Sequence, residues 1–297
     1  MAISEAQLET WTGIGAGATS KATYATIKTA LERNDAPYSG KSYSIYLQGS
    51  YGNDTNVYRD SDVDVVMCTS AIFYPNTSDI SGDALARYNS NRGGTTYSAA
   101  EFKTQVLAHL RSQFGQTVAA GNKAIFIPGN GARRDADVLA CAEHRRYFQF
   151  TDGGPQDYYE GVCFFLPDGT LIENYPKMHL TNCTAKHQAT NTWFKPTVRL
   201  YKNMRNRMIE QGRIGEGLAP SYFIEGLLYN VPPDRFGGSH VANFTDTLNW
   251  LHAADRSNFV CANERFYLLR DGSKVTWRAA SCVTFLKALV EFWNAGG

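Results

Sequence analysis

The chain reads as an α+β protein, a mixed sheet flanked by helices and followed by a C-terminal helical lobe. Three observations predict this. An apolar helical period opens the sequence, short strand-like runs bounded by turn residues dominate from about 43 to 174, and beyond about 186 the apolar spacing is helical almost throughout. The expected division is a core over 1–185 and a helical lobe over 186–297, with no internal repeat or low-complexity segment.

Each element has a local reason. Ser4, with Glu5 and Gln7 behind it, starts a long first helix over about 4–33, in which Leu8, Trp11, Ile14, Tyr24, Ile27 and Leu31 recur at mostly helical spacing. Gly13, Gly15 and Gly17 weaken its first half. Pro37 to Gly40 ends it, and Tyr43–Leu47 alternates into a first strand, followed by a second over about 62–68. Pro75-Asn76, Ser81-Gly82 and Arg92-Gly93-Gly94 make the stretch from Ser70 to Thr96 a surface excursion. Ser98 caps a helix running to Phe114, with Phe102, Val106, Leu107 and Leu110 on one face. Strands are expected at Ala124–Pro128, Arg134–Cys141, Arg146–Phe150 and Gly161–Leu166, the last joined through Pro167-Asp168-Gly169-Thr170 to Leu171–Asn174 as a hairpin. Helices are expected over Asn191–Gln211, Ala219–Tyr229, His240–Asp255 and Thr276–Ala295.

Composition narrows the class. With 297 residues, 43% of them hydrophobic, the chain can bury a substantial core. A formal net charge of +1 gives no global pull toward nucleic acid or a membrane surface, so constitutive nucleic-acid binding is not expected. The six cysteines are scattered without a C-x-x-C pair and sit mostly among apolar residues, as buried thiols in a reducing cytoplasm do. The start Met1-Ala2-Ile3-Ser4-Glu5 lacks the basic and apolar regions of a signal peptide, and no apolar run approaches the roughly 20 residues of a membrane span. A cytoplasmic protein without membrane attachment is the expectation.

The most informative stretch is Gln48-Gly49-Ser50-Tyr51-Gly52, followed by Asp60-Ser61-Asp62-Val63-Asp64-Val65-Val66. Alternate strand residues share a face, so Asp62 and Asp64 point the same way while Val63 and Val65 enter the core. Two like charges side by side call for a cation, and hard carboxylate oxygens favour magnesium, whose shell substrate phosphates usually complete. Gly49 lets backbone N–H groups approach a triphosphate, and Ser50 offers a short hydroxyl donor. A two-metal site needs a further carboxylate from a neighbouring strand. Asp137 in Arg134-Asp135-Ala136-Asp137-Val138-Leu139-Ala140 is the choice, since core residues follow it, with Asp135 as the alternative two residues earlier. His179, Cys183 and His187 at i, i+4 and i+8 would align soft ligands on a helix, but a structural zinc site closes with four, so ordinary polar contacts are expected there. Arg133-Arg134 and His144-Arg145-Arg146 are read as solvated charges flanking strands.

Together, Gln48-Gly49-Ser50-Tyr51-Gly52, Asp62-Val63-Asp64-Val65-Val66 and Asp137-Val138 resemble the signature of the polymerase-β-like nucleotidyltransferases, specifically the bacterial cGAS/DncV-like enzymes. Phe194–Arg205 resembles the family's helix with a phosphate-binding lysine, and Pro220–Glu225 its Ser-Tyr segment, so the resemblance covers roughly 40–230; the long first helix suits the family's spine helix. It implies that Asp62, Asp64 and Asp137 hold two magnesium ions, with manganese an acceptable substitute. It further implies that Gln48, Gly49 and Ser50 bind the donor nucleotide, Lys202 neutralises phosphate charge, Ser221 bonds a phosphate oxygen and Tyr222 stacks on the base. The implied activity joins ATP, GTP or other NTPs into a cyclic di- or trinucleotide messenger, by attack of a ribose hydroxyl on an α-phosphate with release of pyrophosphate. The implied setting is bacterial antiphage signalling (CBASS), in which a monomeric enzyme's product activates a separate effector protein. The family's animal members carry a zinc insertion of clustered cysteines that is absent here. A linear nucleotidyltransferase, making oligoadenylates or adenylylating a small molecule or protein, is the alternative within enzymes. A catalytically inactive nucleotide-binding module is the alternative outside them.

Overall fold

A glycine cluster near the N-terminus and a run of strands after residue 43 set the layout of the computed structural model, which describes residues 3–15, 17–58, 62–151 and 156–297. Asp60 and Ser61 of the carboxylate motif, and Met1 and Ala2, lie outside the described residues. In chain order the first half contains α1 (Glu5–Thr12), α2 (Ala18–Leu31), β1 (Tyr43–Leu47), the short turn α3 (Gly49–Gly52), β2 (Val63–Asn76), α4 (Gly82–Ser90), α5 (Ala99–Phe114), β3 (Ala119–Ala120) and β4 (Ile125–Ile127). The second half contains β5 (Ala136–Gln149), β6 (Asp157–Phe165), β7 (Leu171–Asn174), α6 (Pro176–Ala189), α7 (Phe194–Glu210), α8 (Ser221–Tyr229), α9 (His240–Ala253) and α10 (Ala279–Ala295). The chain forms two compact units, each assembled from several segments. A sheet unit holds Ala18–Gln48 and Asp62–Pro176, and a helical unit holds Met1–Gly17, Gly49–Ser61 and Lys177–Gly297.

In the sheet unit the strand order is β1-β2-β5-β4-β3, with β6 pairing β5 and β7 pairing β6. β2 and β5 are parallel, and the other pairings are antiparallel. Val63, Val65, Val66 and Met67 are all buried, as expected for a central strand covered on both faces. β5 serves two neighbours along one edge, β4 through Ala136–Val138 and β6 through Ala142–Gln149. The two strands expected at Arg134–Cys141 and Arg146–Phe150 are therefore one. The run His144-Arg145-Arg146, expected as solvated charges flanking strands, lies inside β5. His144 is fully buried with its Nε2 3.2 Å from Glu173 Oε2, and Arg145 pairs with Glu143 and lies over the Phe73 and Tyr158 rings. Within the expected surface excursion β2 continues past a bulge to Asn76, and α4 follows it.

The expected continuous first helix is broken into α1 and α2, which belong to different units. Gly15 explains the break: a Cβ there would sit 2.6 Å from the Val57 carbonyl carbon. The bare backbone lets Gly15 N–H donate to the Asn56 carbonyl at 3.1 Å, while Asn56 Nδ2 donates to the Gly15 carbonyl.

The helical unit is built around α7, whose Phe194, Val198, Tyr201, Met204 and Met208 lie in one core with Leu8 of α1, Leu227 of α8, Phe244 of α9 and Phe285 of α10. α6 begins at Pro176, earlier than the expected onset of helix. Among the described residues, no helix is long and apolar enough to cross a membrane.

Candidate active site

The carboxylates lie in the sheet unit, at the start of its two central strands. Register sets Asp64 directly beside Asp137 and Val63 beside Ala136, and Val63 N–H donates to the Asp135 carbonyl at 3.1 Å. Partners in register point to the same face at the roughly 4.8 Å spacing of neighbouring strands. Asp64 and Asp137 are half-buried on that face, and Asp62 precedes the strand and is exposed. Burial raises the Asp137 carboxyl above its ordinary range, and the negative charges of Asp62 and Asp135 raise it further. Asp135 has other work: it is exposed, and its Oδ1 accepts the Gly129 N–H at 2.6 Å. Hard oxygen donors gathered against their own repulsion are a donor set that suits divalent magnesium or manganese.

Gln48 is tied to the same strand, its N–H donating to the Asp64 carbonyl at 3.0 Å. Gly49 follows with φ +66°, a left-handed conformation that glycine adopts without cost. In the helical unit, Gly49 and Ser50 form the turn α3, closed by Asn53 N–H to the Gly49 carbonyl and Thr55 N–H to the Ser50 carbonyl.

The segment Asn53–Asn56 after this turn is held at every residue. Asn53 Nδ2 donates to Glu225 Oε2 at 2.9 Å, and the Thr55 hydroxyl donates to Glu225 Oε1. Asp54, at φ +54°, accepts from Lys195 Nζ at 3.1 Å through its side chain and from Arg199 through its carbonyl. Asn56 holds Gly15. Lys195, Arg199 and Lys202 fall at i, i+4 and i+7 on α7, so a single helical face supplies three buried cations to this segment.

Lys202, expected to neutralise phosphate, has other partners. It is fully buried, and Nζ donates to Glu225 Oε1 at 2.9 Å and to the carbonyl and hydroxyl of Thr55 at 3.2 Å each. An ammonium has three donors, and these contacts use all of them. Burial alone would raise the Glu225 carboxyl, but Lys202, His179 and the Thr55 hydroxyl hold it far below its ordinary range.

Ser221 opens α8, and its Oγ accepts from buried Arg205 at 3.1 Å. Tyr222 is half-buried and stacks on His179 with centroids 4.8 Å apart, while its hydroxyl accepts from Asn263 Nδ2. Of the three aligned soft ligands, His179 and Cys183 do converge, but the third group within reach is Glu225. His187 turns instead to the Lys195 N–H. Glu225, Asn53, Thr55 and His179 were given no functional role from sequence. The available signal was spacing: Glu225 lies i+4 from Ser221 on one helical face, and Asn53-Asp54-Thr55-Asn56 is a polar run directly behind the Gly-Ser turn.

Comparison with known proteins shows what the chain as a whole is similar to. Residues 181–294 match the cGAS/DncV-like nucleotidyltransferase C-terminal helical domain. The chain is 38% identical over 299 residues to a cyclic UMP-AMP synthase of Rhodothermus marinus, covering 100% of both. It is 36% identical over 301 residues to the cyclic nucleotide synthase CdnE01 of Staphylococcus haemolyticus, covering 99% of both. Among solved structures, Rhodothermus marinus CdnE c-UMP-AMP synthase with Apcpp and Upnpp matches with a TM-score of 0.89 at 37% identity, over 99% of this chain and 98% of that one. Elizabethkingia meningoseptica CdnE cyclic dinucleotide synthase with GTP and Apcpp matches with a TM-score of 0.76 at 29% identity, over 99% of both chains.

Proposed function

We infer that this chain, which belongs to the cGAS/DncV-like nucleotidyltransferase family, is a cyclic nucleotide synthase that joins two nucleoside triphosphates into a cyclic dinucleotide. The observation that carries this reading is the in-register pair Asp64 and Asp137, with Asp62 beside it and the Gly-Ser turn leaving the sheet at Gln48.

In the proposed reaction a ribose hydroxyl of one nucleotide attacks the α-phosphorus of the other. The new P–O bond forms as the bond to pyrophosphate breaks, and the hydroxyl proton is released. A second, equivalent step between the joined nucleotides closes the ring and frees a second pyrophosphate. Asp62, Asp64 and Asp137 are the residues proposed to hold two divalent ions. When bound, such ions would acidify the attacking hydroxyl and neutralise the departing pyrophosphate. Gln48, Gly49 and Ser50 are assigned to the donor triphosphate, Ser221 to a phosphate oxygen and Tyr222 to the base, where an aromatic face is a sequence-tolerant platform. Lys202 is assigned an indirect part, acting on the nucleotide through the Thr55 segment that it holds.

The relatives are named for different products, including UMP-AMP, dipurine, dipyrimidine and GMP-AMP rings, so base choice varies at this level of identity. We propose that the product is a second messenger made in the cytoplasm, activating a separate effector in CBASS-type antiphage defence, and that the enzyme acts as a monomer. Incubation of the purified protein with all four NTPs and magnesium, then phosphatase, tests the chemistry. A phosphatase-resistant dinucleotide is expected. Phosphatase-sensitive linear product would make it a linear transferase, and absence of product with retained NTP binding would make it an inactive module.

A further inference from the structure

Four segments of the helical unit meet at one buried carboxylate. Glu225 of α8 accepts from Asn53 Nδ2 at 2.9 Å, from the Thr55 hydroxyl and from Lys202 Nζ of α7 at 2.9 Å, and its Oε2 lies 2.7 Å from His179 Nε2 of α6. Asn53, Thr55, His179 and Lys202 are themselves buried. Two of these donors belong to the segment closed onto Gly49 and Ser50 by the backbone bonds Asn53 N–H to Gly49 and Thr55 N–H to Ser50. A third, His179, forms the surface on which Tyr222 stacks. We propose that Glu225 is a positioning residue for the donor nucleotide: one carboxylate fixes the Gly-Ser turn assigned to the triphosphate and the aromatic platform assigned to the base.

A purely stabilising role accounts poorly for this arrangement. Taking an ion pair out of water costs about as much as the pair returns, and apolar residues of similar volume commonly replace buried pairs without loss. Such residues could not bridge two polar chain segments and a histidine. The convergence of His179, Cys183 and Glu225, with ligand atoms within 4.8 Å, also suits a cation by donor type. Here the Lys202 ammonium already supplies positive charge to that carboxylate, so the group is an ion-pair centre. Glu225 itself touches no nucleotide in this proposal; it acts through Thr55, Asn53 and His179.

The proposal rests on the nucleotidyltransferase reading, so binding and turnover are measured separately. Calorimetry with the α,β-methylene analogues of the four NTPs and magnesium gives Kd, and thermal unfolding gives Tm. Glu225→Gln and the milder Thr55→Val are each expected to weaken Kd, the former by about tenfold or more, as for loss of a hydrogen bond to a charged group. The double variant Lys202→Met with Glu225→Leu removes both buried charges together. It is expected to recover part of the Tm lost in Glu225→Gln, the remainder being the cost of leaving Asn53, Thr55 and His179 without their acceptor, while Kd stays weakened, a split that a merely structural residue would not produce. An unchanged Kd in Thr55→Val, or recovery of both Tm and Kd in the double variant, overturns the proposal. Wild-type protein that binds the analogues yet makes no product overturns the enzymatic reading alone, because positioning is then still decided by Kd.

Discussion

Asp137 sits where a carboxylate is least comfortable, half-buried beside Asp64 and within the fields of Asp62 and Asp135. Its raised carboxyl means that charge at this position opposes folding at neutral pH when no cation is bound. Asp137→Asn is therefore expected to raise the Tm of the metal-free protein while lowering turnover by about 10²–10³-fold, as removal of a transition-state charge stabiliser does. Thermal unfolding in chelator, with and without added magnesium, checks it, and magnesium should stabilise the wild type more than the variant. Strand alternation was the reason for pairing Asp62 with Asp64; Asp64 lies in β2, and Asp62 precedes it. The choice of Asp137 over Asp135 rested on the apolar residues that follow it, and the register supplies the physical distinction, since Asp135 caps Gly129. Lys202 was not legible in this way. A lysine on a helix reads as solvated or as a phosphate ligand, and nothing in the sequence reveals that Glu225, far along the chain, takes its charge inside the core.

The least legible element was the first helix. Apolar residues at helical spacing run through Gly13, Gly15 and Gly17, and intrinsic propensity gives only a weak penalty for each glycine. What ends α1 is a long-range contact, the backbone of Val57 and Asn56 lying flat against Gly15. Gly15→Ala is expected to destabilise the protein by about 1–3 kcal/mol through overpacking. If the contact also steadies the segment behind the Gly-Ser turn, NTP affinity should weaken as well. Denaturant unfolding and calorimetry on one preparation check both. Elements with local signals came through with little change: Ser98 caps α5, Tyr43–Leu47 is β1, and Leu171–Asn174 returns from its turn as β7. Strand β5 failed as two pieces because its polar middle is satisfied by Glu173, Phe73 and Tyr158, partners on other strands.

At the scale of the whole molecule, the chain crosses between its units at Gly17–Ala18, Gln48–Gly49, Ser61–Asp62 and Pro176–Lys177. Two of these crossings fall within the motif that the sequence marks most strongly, so Gly49 and Ser50 belong to the helical unit while Gln48, Asp62, Asp64 and Asp137 belong to the sheet unit. That discontinuity has no local signature in the sequence. The helical unit carries its own acid sensitivity. Glu225 is depressed below its ordinary value of 4.5, so its contribution to stability is present above about pH 4.5 and is lost as the pH falls toward the lowered value. Wild-type Tm should therefore fall more steeply on acidification below pH 4.5 than that of the Lys202→Met, Glu225→Leu variant, as followed by circular dichroism.

The central claim, that paired strand carboxylates and a Gly-Ser turn join two nucleotides into a ring, is tested most directly by mass spectrometry of the phosphatase-treated product from all four NTPs with magnesium. The expected result is a single species whose mass equals two nucleoside monophosphates less two waters, absent from Asp62→Ala. A linear product, or the same product at the same rate from Asp62→Ala, would contradict it.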